Sequence, residues 1–234
     1  MIGIFDYTVI LTYISLLSGV MGIIVCLNGI GHPFIGMFFL MLSGLCDTFD
    51  GRVARTKKDR TERAINFGIQ IDSLSDLVAF GVLPPCIGVA MLRVSPRFTE
   101  VPEIHLIERS QDQIIYPIFL MAIALFYVLA ALIRLAYFNV LEIERQGMAD
   151  PGPRYYTGLP VTSAALIFPT VLLIQFASKA DLTLLFFGAL ALTGILFISK
   201  IRIRKPQMKA IAILLVIGAI EFVLLIVTRL LRGG

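Results

Sequence analysis

The sequence predicts an all-α, polytopic transmembrane bundle of about seven spans, six of them forming a core. Three observations carry this. The chain is 234 residues long and 58% hydrophobic, with only 15% charged residues. Its mean hydropathy is +0.89. Its apolar residues fall in runs of the length that crosses a bilayer as a helix, about 17–25 residues. A soluble domain of this size needs more polar surface than these residues supply.

Taken in order, the runs lie at about 8–29, 33–51, 72–92, 114–138, 159–177, 181–199 and 209–230. The second is the least apolar, because it runs into Asp47 and Asp50. Nothing between the runs is long enough for a soluble domain. The longest loop, about 93–113, carries Pro96 and Pro102. A membrane domain over 1–205 followed by an added span within 206–234 is the expected division.

The basic residues set the expected orientation. Thirteen fall on one side: Arg52, Arg55, Lys57, Lys58, Arg60, Arg63, Arg145, Arg154, Lys200, Arg202, Arg204, Lys205 and Lys209. Six fall on the other: Arg93, Arg97, Arg109, Lys179, Arg229 and Arg232. The richer side, with the N-terminus, is expected in the cytoplasm. Arg134 stands apart, inside the fourth span. The net charge of +4 is small, and no basic patch is interleaved with aromatics, so nucleic acid is not an expected partner. The first residues carry Asp6 and no Lys or Arg, unlike a cleaved signal peptide, and no lipidation motif is visible. Cys26, Cys46 and Cys86 lie in apolar runs without a CxxC pair and read as small hydrophobes.

The chemistry concentrates in 46–84. If the second span continues as a helix, Asp47, Asp50, Gly51, Ala54 and Arg55 share one face; on the third, Gly68, Asp72 and Asp76 do the same. Two helices joined by a short loop thus present four carboxylates to each other at the cytoplasmic membrane boundary. Buried ionised carboxylates are costly and repel one another. A divalent cation resolves this, and hard oxygen donors select Mg²⁺, Mn²⁺ or Ca²⁺. No His or Cys supports zinc. The small residues leave room for a large substrate or for close helix approach. The basic run from Lys57 to Arg63 also reads simply as a cytoplasmic loop.

The pattern D-x-x-D-G-x-x-A-R over Asp47–Arg55, with G-x-x-x-D-x-x-x-D over Gly68–Asp76, resembles the motif of the CDP-alcohol phosphatidyltransferases. Twelve residues separate Arg55 from Gly68, about one helical turn more than the usual spacing. The flanking segments DSLSDLVAFGVLP (72–84), ALIRLAYFNV (131–140) and YTGLP (156–160) resemble the serine-using, membrane-integral branch of that family. In the second of these, Tyr137 stands where the family often has a further arginine.

The resemblance implies a membrane-lipid enzyme: CDP-diacylglycerol as donor, L-serine as acceptor, CMP released, and a site opening laterally to lipid. It implies two Mg²⁺ or Mn²⁺ ions on Asp47, Asp50, Asp72 and Asp76, with Asp76 also the candidate catalytic base. Thr48, Gly51, Ala54, Arg55 and Gly68 then border the CDP moiety. Arg134 is expected to pair with the serine carboxylate, with Asn139 beside it, although an arginine near a span end can also simply snorkel. A homodimer is allowed. Rival readings are a family member using glycerol phosphate or inositol, a membrane prenyltransferase, and a divalent-cation transporter. The transporter explains the acidic helices but not the Gly51–Ala54–Arg55 face.

Overall fold

The computed structural model describes residues 3, 6–28, 33–95, 111–146, 155–178, 181–204, 216–224 and 226–227. Helices dominate them. A 3-10 turn, Tyr7–Val9, leads into α1, Ile10–Leu27; Asp6 caps the turn by accepting from the Thr8 backbone N–H at 2.9 Å. Then come α2, Pro33–Thr56, and α3, Glu62–Val94. After α4, Gln111–Gln146, the shorter α5, Ala164–Ser178, and α6, Thr183–Ile198, follow. A last helical stretch, α7, covers 216–224.

Among the described residues, four helices are long and apolar enough to cross a membrane: Tyr7–Leu27, Pro33–Thr56, Glu62–Val94 and Tyr116–Glu144. The expected fifth and sixth spans are shorter apolar helices, and the seventh is only partly within the described residues. The expected 93–113 loop lies mostly outside them, as do Arg97, Arg109, Arg154, Lys179, Lys205, Lys209, Arg229 and Arg232.

Two boundaries differ from expectation. The third span was expected from residue 72, but α3 begins at Glu62, ten residues earlier. Hydropathy marks only the part in hydrocarbon. The polar turns are helical because the Thr61 hydroxyl accepts from the Ala64 backbone N–H at 3.2 Å, satisfying a donor the first turn leaves free. The connection to α2 is therefore only residues 57–61. A two-stranded antiparallel pair was not anticipated: Tyr155–Thr157 (β1) against Arg202–Arg204 (β2), with Tyr156 opposite Ile203. Three-residue strands carry too little alternation to be read from sequence.

Small residues and hydroxyls bring α1, α2 and α3 together. Ser43 donates to the Ser15 carbonyl at 2.9 Å and Ser18 to that of Phe39 at 3.0 Å, joining α1 to α2. A Cβ at Gly19 would stand 2.9 Å from the Ala79 Cα, so α1 and α3 touch nearly backbone to backbone. Such close approach is how membrane helices gain packing without a hydrophobic driving force. Midway, α3 widens to a π turn over Leu77–Val82, and the buried Tyr127 of α4 donates to the Phe80 carbonyl there at 2.8 Å. The Tyr127 ring packs against Phe168 and Phe197, at 5.7 and 5.3 Å between centroids, tying α4 to α5 and α6. Leu17, Ile118 and Leu125 point outward, as a lipid-facing belt requires.

Candidate active site

The four carboxylates come from adjacent turns of two helices, and the expected spacing holds. Asp47 and Asp50 lie one turn apart near the end of α2; Asp72 and Asp76 lie one turn apart just before the π turn of α3. Asp47, Asp50 and Asp72 each bring a carboxylate oxygen within 4.8 Å of the other two. Asp76 is not in that mutual set, but its carboxyl meets that of Asp47 within hydrogen-bonding reach. Asp50 and Asp76 are buried; Asp47 and Asp72 are half-buried.

Contacts from α1 and α4 fix this pair of helices. The Thr12 hydroxyl of α1 donates to Asp50 Oδ2 at 3.2 Å, and Ser75, next to Asp76, donates to the Thr12 carbonyl at 3.1 Å. Thr12 thus bridges both halves of the motif. On the opposite side, Ser73 donates to Asn139 Oδ1 of α4 at 2.7 Å, beside Asp72. Sequence periodicity places Asn139 on α4 but cannot reveal that it braces α3.

Among the described residues, no lysine or arginine forms an ion pair with any of the four carboxylates. Three oxygen donors this close suit a hard divalent cation and no soft one.

Toward the α2–α3 connection the walls are small. Among the described residues, a Cβ at Gly51 would meet only Arg55 Nη2, at 3.6 Å. Arg55 lies back along its helix, with Nε donating to the Gly51 carbonyl at 2.8 Å. Ala54 is half-buried on the same segment. Thr48 donates to the Gly44 carbonyl of its own helix at 2.8 Å. At Gly68 of α3 an added Cβ would stand 2.8 Å from Arg60 Nη2.

Arg134 of α4 is held from the α5 side. It is 5% exposed, donates from Nε to the Leu159 carbonyl at 3.2 Å and lies 5.5 Å from the Phe138 ring centroid. It lines a cavity of about 420 Å³ with Tyr137, Ser199 and Lys200. The loop that supplies Leu159 turns at Gly158, whose φ of +78° suits glycine; a Cβ there would lie 2.5 Å from the Phe197 carbonyl. The structure therefore brings the four aspartates together and sets Arg134 against the Leu159 carbonyl, lining a cavity between α4 and the end of α6.

Fold and site together define a polytopic helical membrane protein with a carboxylate cluster beneath a glycine-walled opening. The family model described as CDP-alcohol phosphatidyltransferase matches residues 7–231, and the chain belongs to that family. It is 33% identical over 165 residues to CDP-diacylglycerol–serine O-phosphatidyltransferase of Saccharomyces cerevisiae, covering 66% of this chain and 50% of that protein. It is 29% identical over 175 residues to the protein of the same name from Helicobacter pylori, covering 73% and 61%. It is 28% identical over 170 residues to archaetidylserine synthase of Methanothermobacter thermautotrophicus, covering 73% and 59%. The matches span 50% to 61% of the length of these curated relatives.

Proposed function

We propose that the chain transfers the phosphatidyl group of CDP-diacylglycerol to the hydroxyl of L-serine, giving phosphatidylserine and CMP, at a divalent-metal site on the cytoplasmic side of the cell membrane. The observation that carries this is the cluster of Asp47, Asp50 and Asp72 oxygens within 4.8 Å of one another in a member of this family. The names of the relatives support serine over other acceptors.

Asp47, Asp50, Asp72 and Asp76 are the residues to hold two Mg²⁺ or Mn²⁺ ions. Such ions, when bound, neutralise a diphosphate and favour departure of its leaving oxygen. The protein's own part is positional. Gly51, Ala54, Gly68, Thr48 and Arg55 border the space for CDP. Leu45, Phe49 and Leu74 expose apolar side chains beside the carboxylates, offering the acyl chains a path to lipid. In the net reaction the serine oxygen bonds to phosphorus, the P–O bond to CMP breaks, and the hydroxyl proton leaves. Asp76, buried behind Asp47, is the base assigned to that proton. Residues 1–205 supply this machinery, and 206–234 an added span.

Arg134, with Asn139 on the next turn, is assigned to the acceptor. Its cavity, lined mainly by apolar side chains, also holds Lys200 and Ser199, so its few polar groups are a cation and a hydroxyl of the kind an amino-acid carboxylate pairs with. The test is to supply purified protein with CDP-diacylglycerol, Mg²⁺ and, separately, L-serine, glycerol 3-phosphate or inositol, and to identify the lipid formed. Serine alone should yield product. Arg134→Lys keeps the charge and loses the fork, so KM for serine should rise about tenfold with donor KM little changed. Product from another acceptor, or an unchanged serine KM, would overturn the assignment.

A further inference from the structure

Arg60 belongs to neither half of the motif, yet its guanidinium is placed at the site. It lies in the five-residue connection between α2 and α3 and folds back along the first turns of α3. Nη2 donates to the Ala64 carbonyl at 3.2 Å and stands 2.8 Å from where a Gly68 Cβ would be. Any side chain at that position would displace it.

Ala64, Gly68 and Asp72 are successive members of one i, i+4, i+8 row on α3. A guanidinium over Gly68 is therefore about one turn, roughly 6 Å along the axis, from the carboxylate cluster. Arg55 is arranged likewise on α2, Nε on the Gly51 carbonyl and Nη2 3.6 Å from a Gly51 Cβ. Two arginines are thus each laid over a motif glycine, within one helical turn of a motif aspartate of that helix.

Arg60 has capacity to spare. Its Nε is buried and, among the described residues, has no hydrogen-bond partner. A buried N–H of a permanently charged group without an acceptor is an unfavourable arrangement that an anionic ligand would relieve.

We propose that Arg60 is a ligand for the donor's diphosphate, binding its oxygens from the side opposite the carboxylates. The assignment rests on the donor reading of the site given above. A guanidinium suits it because its planar fork engages two phosphate oxygens at once. No bond of the substrate is made or broken by Arg60, so its contribution falls on donor binding.

The experiment uses the full chain in detergent micelles or nanodiscs with Mg²⁺, as wild type, Arg60→Gln and Arg60→Lys. Calorimetric titration with CDP gives affinity, and steady-state kinetics give KM for CDP-diacylglycerol and for serine. Arg60→Gln should weaken CDP and raise donor KM about tenfold or more, with serine KM within about twofold; Arg60→Lys should fall between. If the Gln variant does not fold, the Lys variant decides: loss of CDP affinity supports the proposal and wild-type affinity overturns it. Unchanged CDP affinity and donor KM in Arg60→Gln would overturn the role of Arg60 alone. A wild-type protein that neither binds CDP nor turns over CDP-diacylglycerol would overturn the donor reading and this proposal with it.

Discussion

Asp6 and Lys57 belong to opposite ends of the first two helices, and their ion pair fastens the N-terminal segment over the end of the motif. Lys57 Nζ donates to Asp6 Oδ2 at 2.8 Å, and Thr56 donates to the Tyr7 hydroxyl at 3.3 Å alongside. The bond from Lys57, with donors from Thr8, holds the Asp6 carboxyl down at about 2. A carboxyl lowered on folding contributes stability that is complete above its unfolded value, about 3.9, and is lost as pH falls through the folded value. The strap should therefore be intact across the physiological range and loosen only in strong acid. An NMR titration of the Asp6 carboxyl carbon should give a midpoint near 2; Lys57→Ala should bring it back toward the ordinary range. A wild-type midpoint near about 4 would contradict the pairing. At this scale the motif residues were readable because i, i+3 and i+4 spacing puts them on one face whatever the tertiary fold. Thr12 on Asp50 and Ser73 on Asn139 were not, because both join helices far apart in sequence.

Helix packing turns on a few positions without side chains. Gly44 of α2 faces α5 so closely that an added Cβ would stand 2.5 Å from the Ala165 Cβ, whereas a Cβ on Gly188 of α6 would meet nothing within 4 Å among the described residues. Gly44→Ala should thus force α2 and α5 apart and cost about 1–3 kcal/mol. Gly188→Ala should be neutral or stabilising by up to about 1 kcal/mol through the loss of backbone freedom. Thermal unfolding of the two variants checks the contrast, and equal effects would contradict it. Spans one, two and four were legible in hydropathy to within a few turns. The start of α3 was not, since its first turns lie outside hydrocarbon; Thr61 before a run of helix formers was the available signal. The π turn at Leu77–Val82 leaves no mark on composition, being a response to packing around Tyr127.

For the molecule as a whole, α1 braces both motif helices, α4 to α6 close the bundle through Tyr127, Phe168 and Phe197, and α7 lies against α2 through Phe222 on Phe38. The proposed orientation, with the 57–61 connection in the cytoplasm, is checked by a cysteine at Lys58. That position is exposed, whereas Cys26 and Cys46 are buried and Cys86 is half-buried. A membrane-impermeant thiol reagent should label Lys58→Cys only after cells are opened, and labelling of intact cells would reverse the topology. The central claim, that the Asp47–Asp50–Asp72 cluster supports metal-dependent phosphatidyl transfer, is met most directly by one measurement. Purified protein is given CDP-diacylglycerol and L-serine, and phosphatidylserine and CMP are quantified in EDTA and after addition of Mg²⁺ or Mn²⁺, for wild type and Asp72→Asn. The account predicts no product in EDTA, recovery on adding either ion, and a loss of about a hundredfold or more in Asp72→Asn; undiminished product in EDTA would contradict it.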